Sequence, residues 1–217
     1  MNHQGKLIVL EGIDGAGTTT QIERYAEHLR LANRTVHVTR QPSPGPIGTM
    51  LRQALGGRVA VGSEHHSEIM ALLFAADRLD HLAREVDPWL REGAVVLCDR
   101  YDLSSIAYQT ATAPAELLAR VDFEGWVRSL NRFARRPDLT VVVDVTPELA
   151  EGRRASRAGK PDIYEYSDLQ SRLAALYREA ERLCPGDAIV HVDGDPSLDE
   201  VSARIRGILD PMVLGVR

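Results

Sequence analysis

The sequence predicts a three-layer α/β protein, a five-stranded parallel sheet with helices on both faces. Three observations predict it. Strand-length apolar runs alternate with helix-length segments along the whole chain. The runs are apolar throughout rather than at every second residue, so both faces of the sheet must be covered. A glycine cluster joins the first strand directly to the first helix.

Each element has its own signal. Residues 6–11, KLIVLE, form a buried strand that stops at the glycines. Thr18–Leu31 is a helix with Ile22, Tyr25, Ala26 and Leu29 on one face. Residues 35–39, TVHVT, alternate as a strand does. The Pro-, Gly- and Ser-rich stretch 41–48 is a loop, and 46–57 a short helix. Glu64–Leu90 reads as a long helical region with a kink or break at Pro88. AVVLC at 94–98 is a buried strand. Residues 103–109 start a short helix, and another runs from Pro114 toward Ala134. LTVVVDV at 139–145 is the clearest strand, and Pro147 opens the helix after it. Residues 165–183 are helical, AIVHV at 188–192 is the fifth strand, and Leu198–Leu209 is the last helix. Right-handed crossovers join the strands. No repeat or linker interrupts the pattern, so residues 1–217 are expected to form a single domain.

Composition sets limits. With 217 residues, 44% of them hydrophobic, the chain can bury a sizeable core without disulfide or metal staples. The net charge of −5 argues against a general nucleic-acid binder. Cys98 lies in an apolar run and reads as a buried thiol, and neither it nor Cys184 fits a zinc or disulfide pattern. No signal-peptide pattern and no apolar run of membrane-spanning length is present, so a cytoplasmic protein is expected. Of 26 basic residues only Lys6 and Lys160 are lysines. Few positions can therefore supply an ammonium group.

Gly12-Ile13-Asp14-Gly15-Ala16-Gly17-Thr18-Thr19 follows G-x-x-x-x-G-K-[ST] at every defined position except Thr18. A strand before it and a helix after it are the context that motif requires. Glycines let backbone N–H groups turn toward phosphate oxygens, and the helix N-terminus adds positive partial charge. Gly12, Gly15, Ala16, Gly17, Thr18, Thr19 and Thr20 are thus expected to bind ATP phosphates in a P-loop NTPase-type fold. Thr19 has the hydroxyl placed for magnesium. Thr18 donates only a neutral hydrogen bond where lysine would bring charge. Losing a charge-assisted contact in a dry site costs about 2–4 kcal/mol of transition-state stabilisation, so a reduced rate is expected. Lys6 cannot substitute, because roughly 15–20 Å of strand separates it from the loop.

Four further segments carry a family resemblance. Thr39-Arg40-Gln41-Pro42 resembles the T-R-E-P segment of thymidylate kinases. Leu72-Leu73-Phe74-Ala75-Ala76-Asp77-Arg78 is similar to their L-L-F-A-A-D-R helix. Asp99-Arg100-Tyr101, followed by Ser104, Ser105, Tyr108 and Gln109, resembles their D-R-[YH]…S…A-Y-Q segment. Val143–Glu148 resembles the strand that leads into their arginine-rich lid. The resemblance spans roughly residues 6–183 and implies transfer of the ATP γ-phosphoryl group to dTMP, with Mg2+.

Residue by residue, the resemblance implies the following site. Phe74 stacks on thymine, a contact worth roughly 1–3 kcal/mol, and Arg78, one turn later on the same face, bonds the base edge. On residue types alone, a core phenylalanine with a surface arginine is the better reading. Asp14 accepts from the sugar 3′-hydroxyl. Arg40 and Arg100 hold the monophosphate in guanidinium forks, although Arg100 also suits a simple salt bridge to Asp99. Pro42, Ser104, Ser105, Tyr108 and Gln109 complete the dTMP site, with Gln109 reading the base. Asp99, at a strand end, helps Thr19 hold magnesium. Arg153, Arg154, Arg157 and Lys160 form a lid at about 150–165 over ATP, with Arg153 and Arg157 catalytic beside Asp14 and Arg100. A solvated helix face, the usual reading of a charge run, is the lesser alternative here. Family members commonly pair as homodimers, and the apolar helix near Leu72 is available for that.

The chain departs from the pattern at Thr18, at Gln41 in place of glutamate, and at Ile163 in place of a lid arginine. Two alternatives to a dTMP kinase follow. One is a nucleotide-binding paralogue without catalysis. The other is a kinase for another nucleoside monophosphate or nucleoside.

Overall fold

The computed structural model describes residues 4–155 and 167–215. Its five strands are β1 (Lys6–Glu11), β2 (Val36–Arg40), β3 (Val95–Asp99), β4 (Leu139–Asp144) and β5 (Ile189–Asp193). They pair in parallel in the order β2-β3-β1-β4-β5. β1 is central, flanked by β3 and β4, so the glycine loop leaves the middle of the sheet. That is where strand order reverses and an open α/β sheet forms its ligand crevice.

The continuous apolar runs follow from burial on two sides. Ile8 and Leu10 of β1, with Val95 and Leu97 of β3, pack under α1 (Thr18–Leu31) and α11 (Leu198–Val213). Leu7, Val9, Val96 and Cys98 point the other way, toward Leu82, Val86, Leu90 and Tyr101. Cys98 and Cys184 are both buried free thiols, and burial holds the Cys98 thiol well above its usual range. Lys6 pairs with Asp138 at 3.0 Å, at the end of β1 opposite the loop.

Most helices match the expectation. α2 (Pro46–Leu55) and α8 (Pro147–Ala155) both start on proline, whose fixed φ suits a first turn. Three segments differ. α3 (His66–His81) continues through a π-helical turn, Leu82–Val86, into α4 (Asp87–Arg91) without breaking at Pro88. The Asp87 N–H bonds the Leu82 carbonyl, and this widened turn absorbs the donor missing at Pro88. The helix expected from Pro114 toward Ala134 follows α5 (Asp102–Thr112) and is two, α6 (Ala115–Arg120) and α7 (Phe123–Leu130). Asp122 caps α7 through the Gly125 N–H, which sets the break. The helix expected over 165–183 is α9 (Ser167–Tyr177) and α10 (Ala180–Leu183).

Candidate active site

The phosphate loop needs its glycines for shape. Gly15 and Gly17 have φ of 95° and 91°, in the left-handed region that glycine enters without strain. A Cβ on Gly15 would also sit 2.4 Å from the Ala150 carbonyl oxygen. Gly17 caps α1 with no side-chain bond, leaving the first-turn N–H groups of Thr18, Thr19 and Thr20 facing the crevice. Such a terminus favours phosphate. A cavity beside it is lined by Gly15, Ala16, Gly17, Thr20 and Arg153. Arg153 donates to the Ala16 and Gly194 carbonyls, and Arg154 to the Asp14 carbonyl at 2.6 Å. Both arginines thus lie on the loop instead of along a solvated face. Arg157 and Lys160 lie outside the described residues.

Thr18 and Thr19 grip one carboxylate. Thr18 Oγ1 donates to Asp99 Oδ1 at 2.8 Å, and Thr19 Oγ1 to Asp99 Oδ2 at 2.5 Å. The predicted pair Thr19 and Asp99 therefore meets, and its donors are all oxygen, as magnesium requires.

Arg100 follows Asp99 with φ of 70°, a conformation that costs a non-glycine residue roughly 1–2 kcal/mol. Side-chain bonds hold it there. Its guanidinium donates to Asp14 Oδ1 at 2.7 Å, the Gly12 carbonyl at 3.0 Å, Tyr177 Oη at 3.1 Å and Ser104 Oγ at 3.2 Å. The predicted partner Asp99 instead takes the threonines, so the simple Asp99 salt bridge is not what positions Arg100. Tyr108 Oη donates to Asp14 Oδ2 at 2.9 Å. Burial is the main cause that pushes the Tyr108 hydroxyl up, so it stays a neutral donor. A carboxylate has about four acceptor positions. Arg100, Tyr108 and Gln170 occupy three of them on Asp14.

A second cavity opens next to this cradle. Asp14, Pro42, Phe74, Arg78, Arg100, Ser104, Ser105, Tyr108 and Gln109 line it, together with Gln41, Leu55 and Tyr101. Phe74 is half-buried on its wall. Arg78 corrects the surface-arginine reading, because it is 0% exposed. Its donors reach Gln41 Oε1, Tyr101 O and Ser105 Oγ, each at 3.0 Å, and Asn131 Oδ1. All four acceptors are neutral, so Gln41 in place of a glutamate leaves a full positive charge at the cavity wall. Gln109 is 0% exposed, and neither its amide oxygen nor its nitrogen has a hydrogen-bond partner among the described residues. An orphaned buried amide is costly, and this one lines the cavity.

Arg40 departs from the expectation. It is exposed and faces a neighbouring cavity with Thr19, Thr39, Glu85 and Asp99, away from the Phe74 cavity. It closes edge strand β2, whose side chains are the least covered of the sheet's first three strands.

Sequence reasoning missed Glu11, Gln170 and Tyr177. Glu11 is fully buried and accepts from the Tyr101 and Ser104 N–H groups at 2.7 and 3.1 Å, the Ser104 hydroxyl at 2.5 Å and Tyr177 Oη at 3.2 Å. Burial pushes its carboxyl up, opposed by the Ser104 bond and the Arg100 charge. A charged residue closing an apolar strand was the available signal. Gln170 and Tyr177 had none, since both fall on an ordinary helical pattern.

Comparison with known proteins gives the family. The family model described as Thymidylate kinase matches residues 10–205. A "Thymidylate kinase" of Dinoroseobacter shibae is 40% identical over 94% of this chain and 96% of its own. A "Probable thymidylate kinase" of Pyrobaculum aerophilum is 37% identical over 95% and 97%, and one of Thermococcus gammatolerans is 34% identical over 97% and 98%. Neither the reduced rate expected from Thr18 nor the inactive alternative is borne out. On a family match over most of its length and relatives aligned nearly end to end, the chain belongs to the thymidylate kinase family.

Proposed function

We propose that the protein transfers the γ-phosphoryl group of ATP to dTMP, giving ADP and dTDP. The observation that carries the reading is Gln109, a fully buried amide without partners among the described residues, in a cavity that also presents Phe74 and Arg78. A pyrimidine with its own donor and acceptor edge would satisfy both amide atoms, while Phe74 offers a stacking face. A phosphate of that nucleotide would lie toward Arg100, next to the phosphate loop.

The chemistry asks mostly for position and charge. An oxygen of the acceptor phosphate forms the new bond to the γ-phosphorus, and the bond to the β,γ-bridging oxygen breaks. The acceptor phosphate is already a competent nucleophile, so no strong base is needed. Asp14 and Arg100 orient the acceptor, and the loop N–H groups orient the donor. Thr19 and Asp99 would hold magnesium, which when bound neutralises charge on the outer phosphates. Arg153 supplies the cation that Thr18 does not, from its seat on the Ala16 carbonyl. Arg40 lines the neighbouring cavity with Thr19 and Asp99, so on this reading its charge acts on the magnesium side of the loop.

The same reading includes a cytoplasmic homodimer. Its support is the exposed Leu72 and Leu79 on the outer face of α3, with Phe133 nearby on the same wall as Leu79. No helix among the described residues is long and apolar enough to cross a membrane.

The test measures ADP formation with purified protein, ATP, magnesium and a panel of nucleoside monophosphates. Turnover selective for dTMP is expected. Turnover of a different monophosphate alone, or of none, would sink the reading.

A further inference from the structure

Asp14 is held from both sides of the segment between α8 and α9. From α8, Arg154 donates to its carbonyl at 2.6 Å. From α9, Gln170 makes a two-point contact. Its Oε1 accepts the Asp14 N–H at 3.1 Å, and its Nε2 donates to Asp14 Oδ2 at 2.9 Å. Gln170 is 0% exposed. Its amide orientation is fixed by need, because a backbone N–H requires an acceptor and a carboxylate requires a donor. Two helical turns later on the same face of α9, Tyr177 meets Arg100, Ser104 and Glu11. One face of α9 therefore fixes both ends of the Asp14–Arg100 pair.

We propose that Gln170 is a positioning residue that locks the backbone and carboxylate of Asp14, and so ties α9 to the acceptor side of the active site. It acts through Asp14. Without it, the Asp14 N–H loses its acceptor and, among the described residues, the carboxylate keeps Arg100 and Tyr108. The acceptor nucleotide, unlike ATP, would then meet a carboxylate free to rotate. The kinetic part of this proposal rests on the dTMP kinase reading, and the backbone part does not.

Two variants test it. Gln170→Leu removes both contacts with Asp14, along with the Gln170 contact to the Tyr108 hydroxyl, while keeping an apolar stem of similar length. In the ligand-free protein, hydrogen exchange at the Asp14 amide should quicken by about tenfold or more, with the β1 and β3 amides unchanged. In turnover, kcat/KM for dTMP should fall about 10- to 100-fold while KM for ATP stays within about twofold. Gln170→Glu keeps the shape but sets a carboxylate against Asp14 Oδ2. It should be as poor as the leucine variant at pH 8 and recover toward wild type as pH falls, because a protonated carboxyl donates as the amide did. A purely structural role would give no acid recovery. Unchanged exchange at Asp14, equal losses for ATP and dTMP, or no recovery of Gln170→Glu would each overturn the proposal. Failure of the wild type to phosphorylate dTMP would remove the functional reading, and the exchange measurement would still decide the role of Gln170.

Discussion

Thr18 and Gln109 make opposite use of their polar atoms. The Thr18 hydroxyl is committed to Asp99, so the loop offers no side-chain cation, and of the arginines seated on it Arg153 is the one that lines the cavity beside Gly15, Gly17 and Thr20. Arg153→Ala should lower kcat by about 100- to 1,000-fold, as loss of one transition-state donor does, with KM for dTMP little changed. Adding Thr18→Lys to that variant should restore at least about tenfold. Full additivity of the two changes in kcat, with no rescue, would remove Arg153 from this role. Gln109 has no partners to lose among the described residues. Gln109→Leu should leave Tm unchanged or raise it, since an unpaired buried amide costs about 1–3 kcal/mol. It should also raise KM for dTMP about tenfold or more while sparing ATP. A large drop in Tm with normal kinetics would mean that the amide serves the core. Gln109 was legible because it falls in a recognisable segment. Gln170 was not, because a lone glutamine on a helix face has no distinguishing spacing.

Strands were readable at the scale of the element because burial on both faces leaves an unbroken apolar run, and all five lie where the sequence places them. Helix ends were harder. The split at Val121–Asp122 had a visible cause in a capping aspartate, whereas the split after Tyr177 falls between two equally helical stretches. The π-helical turn before Pro88 has no sequence signature beyond the proline itself. Invisible too was the ion-pair cluster that seats α5, which brings Ser104, Ser105, Tyr108 and Gln109 to the site. Asp102 at its start is buried and bonds Arg128 at 2.6 Å and Arg136 at 2.7 Å, and both arginines also reach Asp187. Breaking a buried pair leaves uncompensated charge. The arginines keep some water contact, so the low end applies, and Asp102→Ala should cost about 3 kcal/mol. For a chain of this size that is a fall in Tm of about 6–12 °C, measured by thermal unfolding. Below the transition, KM for both nucleotides should be near wild type. A variant with normal Tm and a raised KM would show that the cluster serves the site and not the fold.

The molecule as a whole joins parts that lie far apart in sequence, from Glu11 to Tyr177 around one carboxylate–arginine pair, and motif order alone cannot reveal such convergence. One chain of contacts runs from the cavity wall to the opposite face of α3 and sets a pH response. Gln41 accepts from Arg78 through Oε1, so its Nε2 must face His81 Nδ1, 3.3 Å away, as a donor. His81 Nδ1 is then an acceptor, and its Nε2–H faces Thr39 Oγ1 at 2.8 Å. The neutral tautomer is enforced, since a proton on Nδ1 would oppose the Gln41 amide. Burial is the main cause that lowers the His81 pKa from 6.5, and it outweighs the nearby Glu85 and Asp77 carboxylates. A group whose native pKa is lowered adds stability that is fully present above its unfolded value and is lost as pH falls through the native one. The wild type should therefore lose stability, and with it Tm, as pH drops below about 6.5, the free energy falling by up to about 1.4 kcal/mol per pH unit from this residue. His81→Gln cannot titrate and should flatten that limb. The difference in Tm between wild type and variant should shrink steadily from pH 7 to pH 5 if His81 is the group responsible. A difference that stays constant would place the acid sensitivity elsewhere, and one that grows would reverse the sign and exclude a buried neutral histidine.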